Sequence, residues 1–153
     1  VDRSFRRAQK ILANSQRLGT TCLQLLVADS NELLAKHPEW EAYFHRILID
    51  APCSGLGTLA RHPDARWRIN KEIIQELVLL QSQLLKSLAT LLKRGGNLVY
   101  STCTIHPDEN SNQIKNFLKN NPSFALEHEK QIWPGEKDNG DGFYFAVLNK
   151  FKN

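Results

Sequence analysis

The sequence predicts an α/β fold in which a parallel sheet is covered by helices on both faces. Three observations predict it. Stretches of helical periodicity alternate with short apolar runs, in the order helix, strand, helix, strand, helix, strand. Asp29, Asp50 and Cys103 each stand at the carboxyl end of one of those runs, where open α/β sheets place their ligands. A length of 153 residues suits one domain with a core of its own.

Each element has a local reason. Phe5, Ala8, Ile11, Leu12, Ser15 and Leu18 recur at helical spacing, and Gly19 is placed to cap that helix. The run from Cys22 to Val27 reads as a buried strand ending at Asp29, with Cys22 in the core. A short helix, 31–36, leads through His37-Pro38 to a second strand, 46–49, ending at Asp50. Asn70 opens the longest helix, whose apolar face runs from Ile73 and Ile74 through Leu77, Leu80, Leu84, Leu85, Leu88, Leu91 and Leu92. Gly95-Gly96 is expected to stop it, before a third strand, 97–101. Pro107 fits the first turn of a further helix, with Asp108 and Glu109 at its positive end and Asn120-Asn121-Pro122 closing it. Two late strands, 124–128 and 143–148, flank a Pro/Gly/Asp-rich loop. No internal repeat or low-complexity segment interrupts this order.

Composition narrows the classes of function. No apolar run approaches the roughly 20 residues that span a bilayer, because Gln75, Glu76, Gln81, Gln83, Lys86 and Ser87 break the longest one. With no signal peptide pattern either, a cytoplasmic monomer without membrane contact is expected. The three cysteines, Cys22, Cys53 and Cys103, form no C-x-x-C pair, and His37, His45, His106 and His128 have no ligand spacing, so no metal is expected. The net charge of +4 suits an anionic partner. Its distribution says more: Arg61, Arg66, Arg68 and Lys71 follow the Cys53 loop, while Arg3, Arg6, Arg7, Lys10 and Arg17 lie on the first helix.

Two motifs carry chemistry. In Asp50-Ala51-Pro52-Cys53-Ser54-Gly55, Pro52 stiffens the turn and Gly55 and Gly57 permit close approach of a flat ligand. In Ser101-Thr102-Cys103-Thr104 the thiol precedes a helix whose amino end favours a thiolate. Thiols at the ends of two parallel strands converge on one cleft; the bland alternative is two unrelated core cysteines. Spacing alone does not say which one attacks. Trp67 and Trp133 read as packing residues.

This pair of motifs, with the cysteines fifty positions apart, resembles motifs IV and VI of the RNA cytosine-5 methyltransferases. His62-Pro63-Asp64-Ala65-Arg66-Trp67 resembles the family's segment after the first cysteine, and Pro107-Asp108-Glu109-Asn110 its P-x-E-N. Ile132-Trp133-Pro134-Gly135 with Asp141-Gly142-Phe143-Tyr144 resembles the end of the Sun/Fmu group, which modifies small-subunit ribosomal RNA. The stretch from Asp2-Arg3-Ser4 to Arg17-Leu18-Gly19 resembles the helix after the family's second strand.

The resemblance implies a Rossmann-like class I fold dependent on S-adenosylmethionine, mostly parallel with an antiparallel C-terminal strand. It implies that residues 1–153 are the C-terminal part of the catalytic domain, lacking the first strand and its glycine-rich loop. The chain by itself is then expected to hold the cofactor weakly. Cys103 is implied as the nucleophile toward cytosine C6, Cys53 as the residue assisting release, and Asp50 as the holder of the base edge. Asp2 and Asp29, with Asp50 and Pro52, are implied on the cofactor side. Asp2 and Asp29 have helix-capping alternatives of their own. Arg61, His62, Arg66 and Arg68 are candidates for phosphate contacts beside a flipped base, or else a solvated loop.

Competing classes make different demands. A DNA cytosine-5 methyltransferase would use Cys53 as nucleophile and does not call for Ser-Thr-Cys-Thr. A non-catalytic RNA-binding module would keep the basic surface without the cofactor side. A cysteine hydrolase would need a paired histidine, and no such motif is present.

Overall fold

The computed structural model describes residues 1–136 and 140–151. The expected Pro/Gly/Asp-rich loop therefore lies partly outside the described residues, at 137–139. Helix α1 (Phe5–Arg17) opens at Ser4, whose Oγ accepts from the Arg7 N–H at 3.4 Å. Gly19 closes it at φ +68°, as expected. Two 3-10 turns, Ser30–Glu32 and Pro38–Trp40, flank the short α2 (Leu33–Lys36). There follow β1 (Phe44–Asp50), α3 (Ala65–Arg68), α4 (Lys71–Leu91), β2 (Leu92–Thr102), α5 (Ser111–Asn120), β3 (Phe124–Ile132) and β4 (Phe143–Lys150).

The strands form one mixed sheet in the order β1-β2-β4-β3. β1 and β2 are parallel, whereas β4 pairs antiparallel with both β2 and β3. A parallel crossover needs a long connection, and α4 supplies it between β1 and β2. Asn70 caps α4 by accepting from the Ile73 N–H at 2.9 Å. The helix ends at Leu91, earlier than Gly95-Gly96 suggested. Leu92 is already extended, and Lys93 to Gly96 bulge between the Phe44–Leu92 and Arg46–Asn97 pairs.

One face of the sheet carries the core. Leu85, Leu88, Leu91 and Leu92 pack with Leu98, Tyr100, Tyr144, Ala146 and Leu148, and α5 adds Ile114 and Phe117. The opposite face is left half-open: Leu48 is 68% exposed, and Val99, Phe145 and Val147 are half-buried. The expectation of helices sealing both faces is not met among the described residues. Helix α1 does not supply that cover, since Phe5 and Leu12 on its apolar side are exposed.

The strand expected from Cys22 to Val27 is also corrected. Only a parallel bridge between Asp2 and Val27 forms there, with Asp2 N–H donating to Leu26 O and Ala28 N–H to Asp2 O. A strand needs a ladder, and this segment has a single residue as partner among the described residues. Cys22 is consequently exposed and not core.

Candidate active site

The parallel register of β1 and β2 creates the site. Asp50 lies opposite Ser101, and the Ala51 N–H donates to Ser101 O at 2.9 Å. Both chains then leave the sheet at the same edge. Cys53 follows Asp50 by three residues and Cys103 follows Ser101 by two. Their sulfurs stand 3.4 Å apart, both half-buried. The convergence expected from two strand ends is what the fold delivers.

Backbone contacts hold the loops in that relation. The Gly57 N–H donates to Cys103 O at 3.0 Å, and the Gly142 N–H donates to Gly57 O at 2.8 Å. A side chain at Gly57 has no room: its Cβ would meet the Gly142 carbonyl and lie 2.8 Å from Cys103 O. Beneath the sulfurs lies a polar core. Glu109 is wholly buried and accepts from the Ser54 N–H at 2.8 Å, Ser54 Oγ at 2.5 Å, Gln81 Nε2 at 3.0 Å and Thr104 Oγ1 at 3.2 Å. Asn110 accepts from Thr102 Oγ1 at 2.6 Å and donates to Thr104 O at 3.0 Å.

The two thiols differ in acidity. The hydrogen bond with Cys53, the largest influence, brings Cys103 down to about 7 against the opposing effects of burial and the charges of Asp50 and Glu109. The same bond pushes Cys53 far above the ordinary thiol range, with burial adding to it. In the matching arrangement the Cys53 S–H donates and Cys103 Sγ accepts. The helix dipole expected beside Cys103 is not the source. A three-residue 3-10 turn, Pro107–Glu109, comes first, and α5 starts only at Ser111.

A titration checks this. Because its folded-state acidity is increased, Cys103 is thiolate above about pH 7 and loses reactivity tenfold per unit below it. Alkylation of Cys103 by iodoacetamide, followed by mass spectrometry of its peptide, should be half-maximal near pH 7. Cys53→Ala removes the donor and should move that midpoint upward, to about pH 8 or higher. An unmoved midpoint would show that Cys53 does not acidify its neighbour.

The remaining expected residues divide. Asp50 and Pro52 are exposed at the rim, and Pro52 O accepts from Gln81 Nε2 at 2.9 Å. Asp2 Oδ1 accepts from the Ser4 N–H at 2.7 Å and pairs with Arg7 at 3.1 Å; the Ser4 bond, above all, lowers its pKa. Asp29 Oδ1 accepts from the Asn31 N–H at 2.8 Å, so its capping alternative is realised. The Asp2–Val27 bridge sets Asp2 beside a residue two positions before Asp29. Among the described residues, Oδ1 of each carboxylate takes these bonds and Oδ2 has no hydrogen-bond partner.

Arg61, His62, Arg66 and Arg68 are all exposed around α3. Arg61 pairs with Asp141, and Arg68 with Asp64 at 2.6 Å. Trp67 is 87% exposed and Trp133 51%, which overturns their reading as packing residues. Among the described residues, no group of three His, Cys, Asp or Glu side chains could hold a metal ion, and no helix is long and apolar enough to cross a membrane. Sequence reasoning missed Gln81, taken as a mere break in an apolar run. A glutamine on the inward stripe between Leu77 and Leu84 was the available signal.

Residues 1–149 match the 16S rRNA methyltransferase RsmB/F family along almost the whole chain. The chain belongs to that family. It is 40% identical to a probable ribosomal RNA small subunit methyltransferase B of Synechocystis sp., covering 97% of this chain and 36% of that protein. It is 43% identical to ribosomal RNA small subunit methyltransferase B of Vibrio vulnificus, covering 98% and 36%. The chain thus spans about a third of the length of these relatives. NSun6 from Pyrococcus horikoshii, solved with SFG, superimposes with a TM-score of 0.81 at 27% identity over 99% of this chain and 41% of that one. A methyltransferase homologue from the same organism superimposes with a TM-score of 0.79 at 26% identity, covering 98% and 52%. The RsmB/F family and the α/β methyltransferase fold agree with the resemblance seen in the motifs.

Proposed function

We propose that the protein carrying this chain methylates C5 of a cytosine in small-subunit ribosomal RNA, and that residues 1–153 are the C-terminal part of its catalytic domain. The observation that carries the reading is the pair of sulfurs 3.4 Å apart with opposed acidities. Cytosine C5 is a poor nucleophile. Addition of the Cys103 thiolate to C6 gives C5 enamine character, so that it can take up a methyl group. S-adenosylmethionine, when bound, would supply that methyl from its sulfonium centre, the neutral thioether S-adenosylhomocysteine being the group that leaves. After methylation the C5 proton passes to solvent water, its electron pair re-forms the C5–C6 double bond, and the bond from C6 to sulfur breaks with Cys103 leaving as the thiolate. Cys53, held as the thiol, stands beside the departing Cys103 sulfur and assists its release. Asp50, at the rim, accepts from the base edge and favours protonation at N3.

The cofactor fits the residues present in part. Two carboxylates on adjacent segments, Asp2 and Asp29, each keep an oxygen for hydroxyl or amino donors, which suits a ribose and an adenine. Asp50 and Pro52 stand exposed at the carboxyl end of β1. The SFG in the NSun6 relative, an analogue of S-adenosylmethionine, supports the same choice. On the RNA side, exposed His62, Arg66, Arg68 and Arg61 offer phosphate contacts, and exposed Trp67 offers a face for stacking.

The test is direct. The full-length protein is incubated with unmodified 16S ribosomal RNA and S-adenosylmethionine, and nucleosides are analysed by mass spectrometry. New 5-methylcytidine is the expected product; a methyl group on any other atom would sink the proposal.

A further inference from the structure

The residue after each cysteine meets its counterpart in the other loop. Ser54 Oγ and Thr104 Oγ1 lie 2.8 Å apart, so the two loops are joined twice, thiol to thiol and hydroxyl to hydroxyl. Both hydroxyls also reach Glu109 Oε1, at 2.5 and 3.2 Å. Its Oε2 takes the Ser54 N–H and the Gln81 amide. Ser54, Thr104, Gln81 and Glu109 are all buried, and Thr104, Gln81 and Glu109 completely so. Tyr100 Oη further anchors the turn by donating to Glu109 O at 2.7 Å.

A carboxyl group without exposure costs stability unless it is fully hydrogen-bonded, and four donors meet this one. No donor among them comes from the rim where a base would lie. Three of the four belong to the cysteine loops themselves and the fourth to α4. Such an arrangement suits holding geometry better than touching substrate.

We infer that Ser54, Thr104 and Glu109 form a clasp of positioning residues that sets the distance between Cys53 and Cys103. The clasp acts only through the thiols. Its effect on turnover rests on the methyltransferase reading above, but its effect on thiol separation does not. Two readouts in the full-length protein therefore separate the two ideas. One is methylation kinetics. The other is the rate at which diamide, accepting two electrons and two protons, converts the thiols into a Cys53–Cys103 disulfide identified by mass spectrometry.

Glu109→Ala leaves the Ser54 N–H without an acceptor and the Gln81 amide with Pro52 O alone. It should lower kcat about 100-fold with KM for RNA unchanged, and slow disulfide formation to a similar degree. Loss of the Glu109 charge alone would make Cys103 more acidic and quicken that reaction, so slowing reports geometry. Thr104→Val keeps the side-chain shape, guards against a folding failure of the alanine variant, and should reduce both rates about tenfold. Glu109→Gln can keep its oxygen on Ser54 N–H and Gln81 and turn its amide toward the two hydroxyls, which can accept. It should stay within about threefold of wild type in both readouts.

Wild-type disulfide rates in Glu109→Ala and Thr104→Val would overturn the clasp. So would a Glu109→Gln protein as impaired as Glu109→Ala, because an equivalent set of hydrogen bonds would then fail to hold the thiols in place. If wild-type protein makes no 5-methylcytidine while the disulfide rates follow the expected order, the function proposal fails and the clasp stands.

Discussion

Cys53→Ala in the full-length protein is expected to accumulate a protein–RNA complex that survives denaturing electrophoresis, whereas Cys103→Ala forms no adduct and loses methylation by more than about 10⁴-fold. The asymmetry follows from the site. The sulfur brought down to about 7 is the one able to attack near neutral pH, and its partner is held as the thiol. Without Cys53 the attack still proceeds, from a less acidic thiol, but release loses its assistant. The two variants share one pocket and nearly one size, so a general packing effect would strike them alike. Reversal of the two outcomes would transfer the nucleophile role to Cys53. An adduct absent from both would remove covalent catalysis altogether.

Gly57→Ala should be the most damaging substitution outside the thiols. The added Cβ meets backbone of two other segments, Gly142 C at 2.7 Å and Cys103 O at 2.8 Å, not the yielding tip of a side chain. Overpacking against fixed backbone costs about 3 kcal/mol, or a fall in Tm of about 6–10 °C for a domain of this size. Because Gly57 N–H also holds Cys103 O, the catalytic loop shifts with it, and kcat should fall about 100-fold. Thermal denaturation and methylation assays of the same preparation check both numbers. Unchanged Tm and turnover would mean that the three loops part without cost.

Much of the site was legible because its logic is local. A strand followed by a stiff Pro-Cys turn can be read from residues 46–53, and Asn70 as a cap needs only its neighbours. What failed was whatever depends on a distant partner. The run from Cys22 to Val27 has the composition of a strand, yet strands exist as ladders, and its ladder here is one residue long. Trp67 is a large apolar residue of the kind that fills cores, but α3 is a single turn that buries Ala65 and leaves the indole 87% exposed. Gln81 looks like an interruption of an apolar face until Pro52 O and Glu109 are placed against it.

The sequence by itself determined the main helices, the strands from 46 onward, the two thiol motifs and, through the resemblance those motifs carry, the family, since these rest on periodicity and on contiguous residues. Tertiary structure alone decided that the thiols touch, that one acidifies the other, and that a buried glutamate binds both loops. Those outcomes depend on the register of β1 against β2 and on side chains 50 and 55 positions apart. A hydrogen bond of that span is a property of the folded chain, because neither partner's own neighbourhood records where the other will be.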